Sequence, residues 1–98
     1  MLKARNGSEK EKMDYKKQIQ ILRRKIDKID RDIIHNLSER IDISKKISKI
    51  KRKNNLTIRD IRRENDIINN LSNVSTLNRK FIDKIFNEIF EESRRIQR

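Results

Sequence analysis

From Ser8 to the end of the chain there is no glycine and no proline. Nothing in that stretch strongly breaks a helix, so the turns must come from clusters of asparagine and serine. Two such places stand out. Asn54-Asn55 ends a lysine-rich stretch, and Asn69-Asn70 with Ser72-Asn73-Val74-Ser75 forms the second. They divide the chain into three segments. In the first, about residues 9–53, Ile19, Leu22, Ile26, Ile29, Ile33, Leu37, Ile41, Ile47 and Ile50 recur at steps dominated by three and four. That is the helical period, and strand alternation does not fit it. Glu9 and Glu11 suit the start of such a helix, and Lys45 to Lys53 suits its end, by the macrodipole. The second segment, about 58–72, carries Ile58, Ile61, Ile67, Ile68 and Leu71, with Asp60 near its start. The third, about 77–97, has the strongest apolar stripe: Phe81, Ile82, Ile85, Phe86, Ile89, Phe90 and Ile96. Thr76 or Asn78 is its expected cap. The fold class is therefore all-α, with one very long, one short and one medium helix.

Composition tests whether these helices can form a folded protein. Of 98 residues, 43% are charged and 33% hydrophobic, with a net charge of +12. High charge with low hydrophobicity can signal disorder. Against that, Ile, Leu, Val and Phe together number 28, of which 18 are isoleucine. This exceeds the roughly 20% that marks disordered chains. The core is narrow and rests on isoleucine.

Several classes of chemistry drop out. Without cysteine there is no disulfide framework, thiolate nucleophile or thiolate-held zinc. The single histidine, His35, makes no histidine metal cluster alone and reads as an exposed helix residue. No apolar run approaches the roughly 20 residues that span a bilayer. The N-terminus, MLKARNGSEKEK, lacks the apolar segment of a secretory signal. The expectation is a cytoplasmic protein with no membrane partner and no cofactor.

The first helix is too long for its companions. About 45 residues at 1.5 Å each span roughly 65 Å, more than the other two segments can cover. Its isoleucine stripe would face water unless a second copy of the chain buries it. Length and periodicity thus predict a homodimer.

The polar residues on these helices fall into sets. Arg40 and Lys51 are eleven residues apart, so they return to nearly the same face, roughly 16 Å apart along the axis. Such a pair can bracket a small anion. Arg23, 17 residues before Arg40, lies roughly 100° around the helix and points elsewhere, toward a neighbouring chain. Asp60, Arg63 and Glu64 share one face of the second helix, and Ser93 and Gln97 share one face of the third. In so charged a chain, spacing of this kind ordinarily means side chains pointing into water or a local ion pair.

The order of the residues goes beyond spacing. Leu22-Arg23-Arg24-Lys25-Ile26-Asp27-Lys28-Ile29-Asp30, Ser38-Glu39-Arg40, Ile50-Lys51, Ile58-Arg59-Asp60-Ile61-Arg62-Arg63-Glu64 and Phe86 through Gln97 follow one another along the chain. This ordered set resembles the all-helical class of chorismate mutases over about residues 19–97. The resemblance implies a three-helix chain that pairs into an intertwined dimer with two active sites, formed by 19–98. Residues 1–18 are then an N-terminal extension, partly disordered or a lead-in to the helix. It also implies roles. Arg23 matches the arginine that reaches into the other protomer's site. Arg40 matches an arginine that binds a substrate carboxylate, and Lys51 a lysine that contacts a carboxylate and the ether oxygen. Asp60 and Glu64 match acidic positions near the ring hydroxyl, with Arg63 in support. Ser93 matches a hydroxyl that helps hold a carboxylate. Gln97 matches the amide that faces the ether oxygen.

The implied reaction turns chorismate into prephenate by an intramolecular [3,3] rearrangement, in the route to phenylalanine and tyrosine. One C–O bond breaks as one C–C bond forms, so no nucleophile, metal or cofactor is needed. Lys51 and Gln97 would act on the reacting ether oxygen. The rest would hold the substrate. The chain is expected to be free-standing, with association with another shikimate-pathway enzyme open to it. Two rival readings remain. One is an isochorismate pyruvate-lyase of the same fold, which would keep the basic clamp. The other is a basic helical nucleic-acid-binding dimer, prompted by a pI near 10.4 and the Lys45–Lys53 run. Interleaved acids, one tyrosine and no tryptophan weigh against nucleic acid as partner.

Overall fold

The structure, a computed structural model, describes residues 2–97, with side chains described for 14–96. Three helices follow one another: α1 (Leu2–Lys53), α2 (Ile61–Val74) and α3 (Arg79–Gln97). α1 begins earlier than periodicity suggests, so Glu9 and Glu11 lie inside it. Its last turn holds Lys51, Arg52 and Lys53, whose charge suits the carbonyl end of a helix dipole.

The turn after α1 is built by the expected asparagines. Asn55 has φ of 55°, the left-handed conformation that asparagine tolerates better than most residues. Around it the Leu56 amide donates to the Lys51 carbonyl at 2.8 Å, and the Asn55 amide to that of Arg52 at 3.3 Å. This is the Schellman pattern, which satisfies carbonyls that the helix end leaves open. The Asn54 side chain adds a bond from Nδ2 to the Ile50 carbonyl at 2.8 Å.

α2 starts at Ile61 rather than near 58 because Asp60 is its cap. Asp60 is extended, and its Oδ1 accepts from the Arg63 amide at 3.0 Å. α2 then runs through Asn69-Asn70 and Ser72-Asn73 to Val74. Its amphipathic period outweighs the turn preference of those residues. Ser75 breaks the helix in extended conformation. Asn78 caps α3, with Oδ1 accepting from the Lys80 amide at 2.8 Å and its carbonyl from the Ile82 amide at 3.1 Å.

The chain divides into two compact units, one ending at Ser38 and the other beginning at Glu39. In the first, the described residues all belong to α1. Ile19, Leu22, Ile26, Ile29 and Ile33 form a stripe along it, each 43–56% exposed. No second element among the described residues of that unit covers them. His35 is exposed, as expected, and lines a shallow open depression with Asp30, Arg31, Ile34 and Ser38.

In the second unit α2 packs against α3. Ile68, Ile82 and Phe90 are its buried apolar side chains, each 5% exposed. Phe86 stands one turn before Phe90, with ring centroids 6.0 Å apart and tilted by 59°. Arg79 of α3 donates to Asn69 Oδ1 of α2. Ser48 on α1 and Ser93 on α3 are buried as well. Around this small core Ile43, Ile47, Ile61 and Phe81 stay about half exposed. Among the described residues, no helix is long and apolar enough to cross a membrane.

Candidate active site

In the second unit side-chain contacts link α1 to α3 and α3 to α2. Arg40, on α1, is half-buried. Its guanidinium carbon lies 5.5 Å from the centre of the Phe90 ring on α3. A cation over an aromatic face is held by the ring quadrupole. Burial and, secondarily, the positive charge of Arg63 lower the Arg40 pKa from its ordinary value. Both causes oppose the charged form, yet a guanidinium stays protonated at any working pH. The charge of Arg63 thus acts on a guanidinium that burial already disfavours. No salt bridge joins either guanidinium to a described carboxylate. The arrangement is electrostatically unfavourable alone and favourable to an anion.

Ser93 follows Phe90 by nearly one turn and is 6% exposed. Among the described residues its Oγ is buried without a hydrogen-bond partner. An unpaired buried hydroxyl costs free energy, typically about 1–3 kcal/mol, so such groups ordinarily have partners. On the α1 side Lys51 is half-buried, and its Nζ donates to the Ile58 carbonyl at 3.1 Å. This bond ties the head of Lys51 to the segment that leads into α2. It uses one of three ammonium donors and leaves two.

Glu64 of α2 is held from α3. Its Oε2 accepts from Arg94 Nη1 at 2.7 Å, and its Oε1 lies 3.5 Å from Arg59 Nη2. The Glu64 side chain is 15% exposed. Asp60, the residue before α2, is exposed, and its Oδ1 is committed to capping. Among the described residues no three His, Cys, Asp or Glu side chains gather as metal ligands would.

Of the residues singled out from sequence, Arg40, Lys51, Asp60, Arg63, Glu64 and Ser93 all belong to this unit. The positive charge of Arg63 acts on Arg40, and Arg63 and Glu64 are neighbours on α2. Arg23 belongs to the other unit, where it is exposed on α1. The Gln97 side chain lies outside the described residues. Two participants were not picked out from sequence: Phe90, beneath Arg40, and Arg94, on Glu64. A signal for them existed. Phe90 and Arg94 are spaced i, i+4 and flank Ser93 on the same turn of α3.

Comparison with known proteins gives this arrangement its family. The family model described as chorismate mutase type II matches residues 22–98. The chain belongs to the chorismate mutase type II family. A solved chorismate mutase from Thermus thermophilus superposes with a TM-score of 0.72 at 32% identity, covering 78% of this chain and 98% of that one. Two proteins named bifunctional chorismate mutase/prephenate dehydratase are also similar. The one from Buchnera aphidicola subsp. Baizongia pistaciae is 34% identical over 84 residues, 83% of this chain and 23% of that protein. The one from Buchnera aphidicola subsp. Schizaphis graminum is 36% identical over 84 residues, 83% of this chain and 22% of that protein. The chain thus spans less than a quarter of these two relatives. The long α1 and the two shorter helices agree with the all-helical fold expected of a family member.

Proposed function

We propose that this chain rearranges chorismate to prephenate, as a cytoplasmic homodimer in which Arg23 of each protomer serves the site of the other. The observation that carries the reading is Arg40, half-buried against Phe90 with the charge of Arg63 acting on it and, among the described residues, no carboxylate partner, on the fold of this family. Two like charges that act on each other lower their energy by binding an anion, and chorismate carries two carboxylates. The exposed stripe Ile19 to Ile33 supports the dimer, because a second copy would remove those side chains from water.

The chemistry asks two things of the protein. First, a flexible dianion must be held compact, with its reacting carbons close. Arg23, Arg40 and Ser93 would grip the carboxylates, and the Ser93 hydroxyl would gain the partner it lacks. Guanidinium–carboxylate pairing gives direction as well as charge. Fixing near-attack geometry removes an entropic part of the barrier. Glu64, with Asp60 nearby, would accept the ring hydroxyl.

Second, negative charge grows on the ether oxygen as its C–O bond breaks. Lys51, anchored on Ile58, has two donors left for that oxygen and a carboxylate. Gln97 would supply a second donor to the ether oxygen. Donors fixed before the reaction stabilise the transition state without reorganising.

We also propose that the chain associates with another enzyme of the same pathway. The support is the pair of relatives whose names join chorismate mutase to prephenate dehydratase. The test of the activity is direct. Purified protein is incubated with chorismate, and prephenate formation is followed. The expected result is catalysed conversion well above the spontaneous rate. Conversion of isochorismate instead, or salt-sensitive nucleic-acid binding with no chorismate turnover, overturns the reading.

A further inference from the structure

Arg94 makes the main ion pair between α2 and α3. Its Nη1 donates to Glu64 Oε2 at 2.7 Å, across 30 residues of sequence. The two side chains are only 24% and 15% exposed, so solvent screens them less than a surface pair. The contact has the length of a charge-assisted hydrogen bond. The other Glu64 oxygen, Oε1, faces Arg59 at 3.5 Å, a long contact from a side chain that is 52% exposed. One oxygen of Glu64 is thus firmly held. The other remains available as an acceptor.

We propose that Arg94 is a positioning residue for the rearrangement, one that fixes the Glu64 carboxylate so that Oε1 accepts the hydroxyl of the substrate ring. This rests on the chorismate mutase reading above. A glutamate side chain has three rotatable bonds and considerable rotamer entropy to lose when ordered. Pinning Oε2 removes that freedom before substrate arrives, so less is lost on binding. A guanidinium suits the task because it is always charged and its planar fork sets direction as well as distance. The placement on α3 adds coherence. A single turn, Phe90 to Arg94, carries the ring under Arg40, the unpaired Ser93 hydroxyl and the pin on Glu64.

The test uses the full chain with two substrates, chorismate and its analogue lacking the ring hydroxyl. The parent, Arg94→Ala, Arg94→Lys and Arg94→Ala combined with Glu64→Gln are compared. Each is checked for helical content and thermal unfolding. Arg94→Ala is expected to lower kcat/KM for chorismate by about 10-fold or more, as loss of a partly buried charged partner typically does. It should leave kcat/KM for the deoxy analogue within about 2-fold, because a ring without the hydroxyl has no use for Glu64. Arg94→Lys should restore part of the loss, since an ammonium pairs with a carboxylate without the fork. In the Glu64→Gln background, Arg94→Ala should change little further.

A merely structural Arg94 would lower activity toward both substrates alike, and that outcome overturns the proposal. So does a folded Arg94→Ala that keeps the parent's preference for chorismate. If Arg94→Ala loses its helical signal, Arg94→Lys carries the same comparison, with a smaller loss confined to the hydroxyl-bearing substrate. A parent chain with no chorismate turnover overturns the mutase reading itself, and this proposal with it. An active parent with an indifferent Arg94 overturns the proposal alone.

Discussion

The contact between Arg40 and Phe90 makes a quantitative prediction whose sign is not obvious. Phe90→Leu keeps most of the buried apolar volume and deletes the aromatic face. Two terms are lost. The ring pair with Phe86, at 6.0 Å, is worth about 0.5–1.5 kcal/mol beyond burial. The cation–π contact, at 5.5 Å from a half-buried guanidinium, should fall near 1 kcal/mol, between the roughly 0.5–1 of exposed pairs and the roughly 2 of desolvated ones. The expected cost is about 2 kcal/mol. For a domain of this size that lowers Tm by about 8–16 °C. Arg40→Gln has opposed effects. It loses the same ~1 kcal/mol, but it relieves both the burial of a charge and the repulsion from Arg63. Alone it should be near neutral. In the Phe90→Leu background there is no ring left to lose, so the same change should stabilise. The double-mutant cycle isolates a coupling of about 1 kcal/mol. Urea unfolding at one fixed protein concentration, followed by helical signal, measures it. A coupling below about 0.3 kcal/mol refutes the argument, because the distance would then carry no energy.

Four further outcomes are expected. Lys51→Ala should reduce chorismate turnover by about 100- to 1000-fold, the usual consequence of removing one preorganised donor; an unchanged rate removes Lys51 from the site. Arg23→Ala should be nearly inactive alone but regain activity when mixed with Lys51→Ala, because mixed dimers hold one intact composite site; absence of rescue argues that Arg23 does not act across the dimer. Asp60→Ala should cost about 1 kcal/mol by denaturant unfolding through loss of the α2 cap, whereas Asp60→Asn should cost little. The Glu92 carboxyl is held below the usual carboxylate range by its hydrogen bonds from Arg95, including the Nε bond of 3.0 Å. A carboxyl lowered by folding contributes stability above its unfolded pKa and loses it as pH falls through the folded value. In Arg95→Ala the Glu92 titration, followed by NMR, should therefore move up toward the ordinary range.

Much of the fold was legible in local chemistry. Isoleucine at helical spacing gave three helices, and Asn54-Asn55 marked the end of α1 because asparagine tolerates left-handed φ. The starts of α2 and α3 were harder to place. Ile58 and Leu77 continue the apolar pattern, but Asp60 and Asn78 accept from the first free amides and set the boundary after themselves. For the candidate site, residue order along the helices singles out Arg40, Lys51, Asp60, Arg63, Glu64 and Ser93 through the family resemblance. In the sequence Phe90 is one member of the apolar stripe and Arg94 one more charge in the Phe86–Gln97 run, and local pattern alone marks neither as a site residue.

The sequence by itself determined the helices, their caps and the faces on which the polar residues stand, because each depends on neighbours within about one turn. The tertiary structure alone decided which of those faces meet. Arg94 reaches Glu64 across 30 residues, Arg40 sits over Phe90 from a different helix, and Ser93 is buried with its hydroxyl unpaired. Helical period fixes the direction a side chain takes from its own axis. It does not fix the packing of one axis against another, and that packing makes a surface arginine into the pin of a carboxylate.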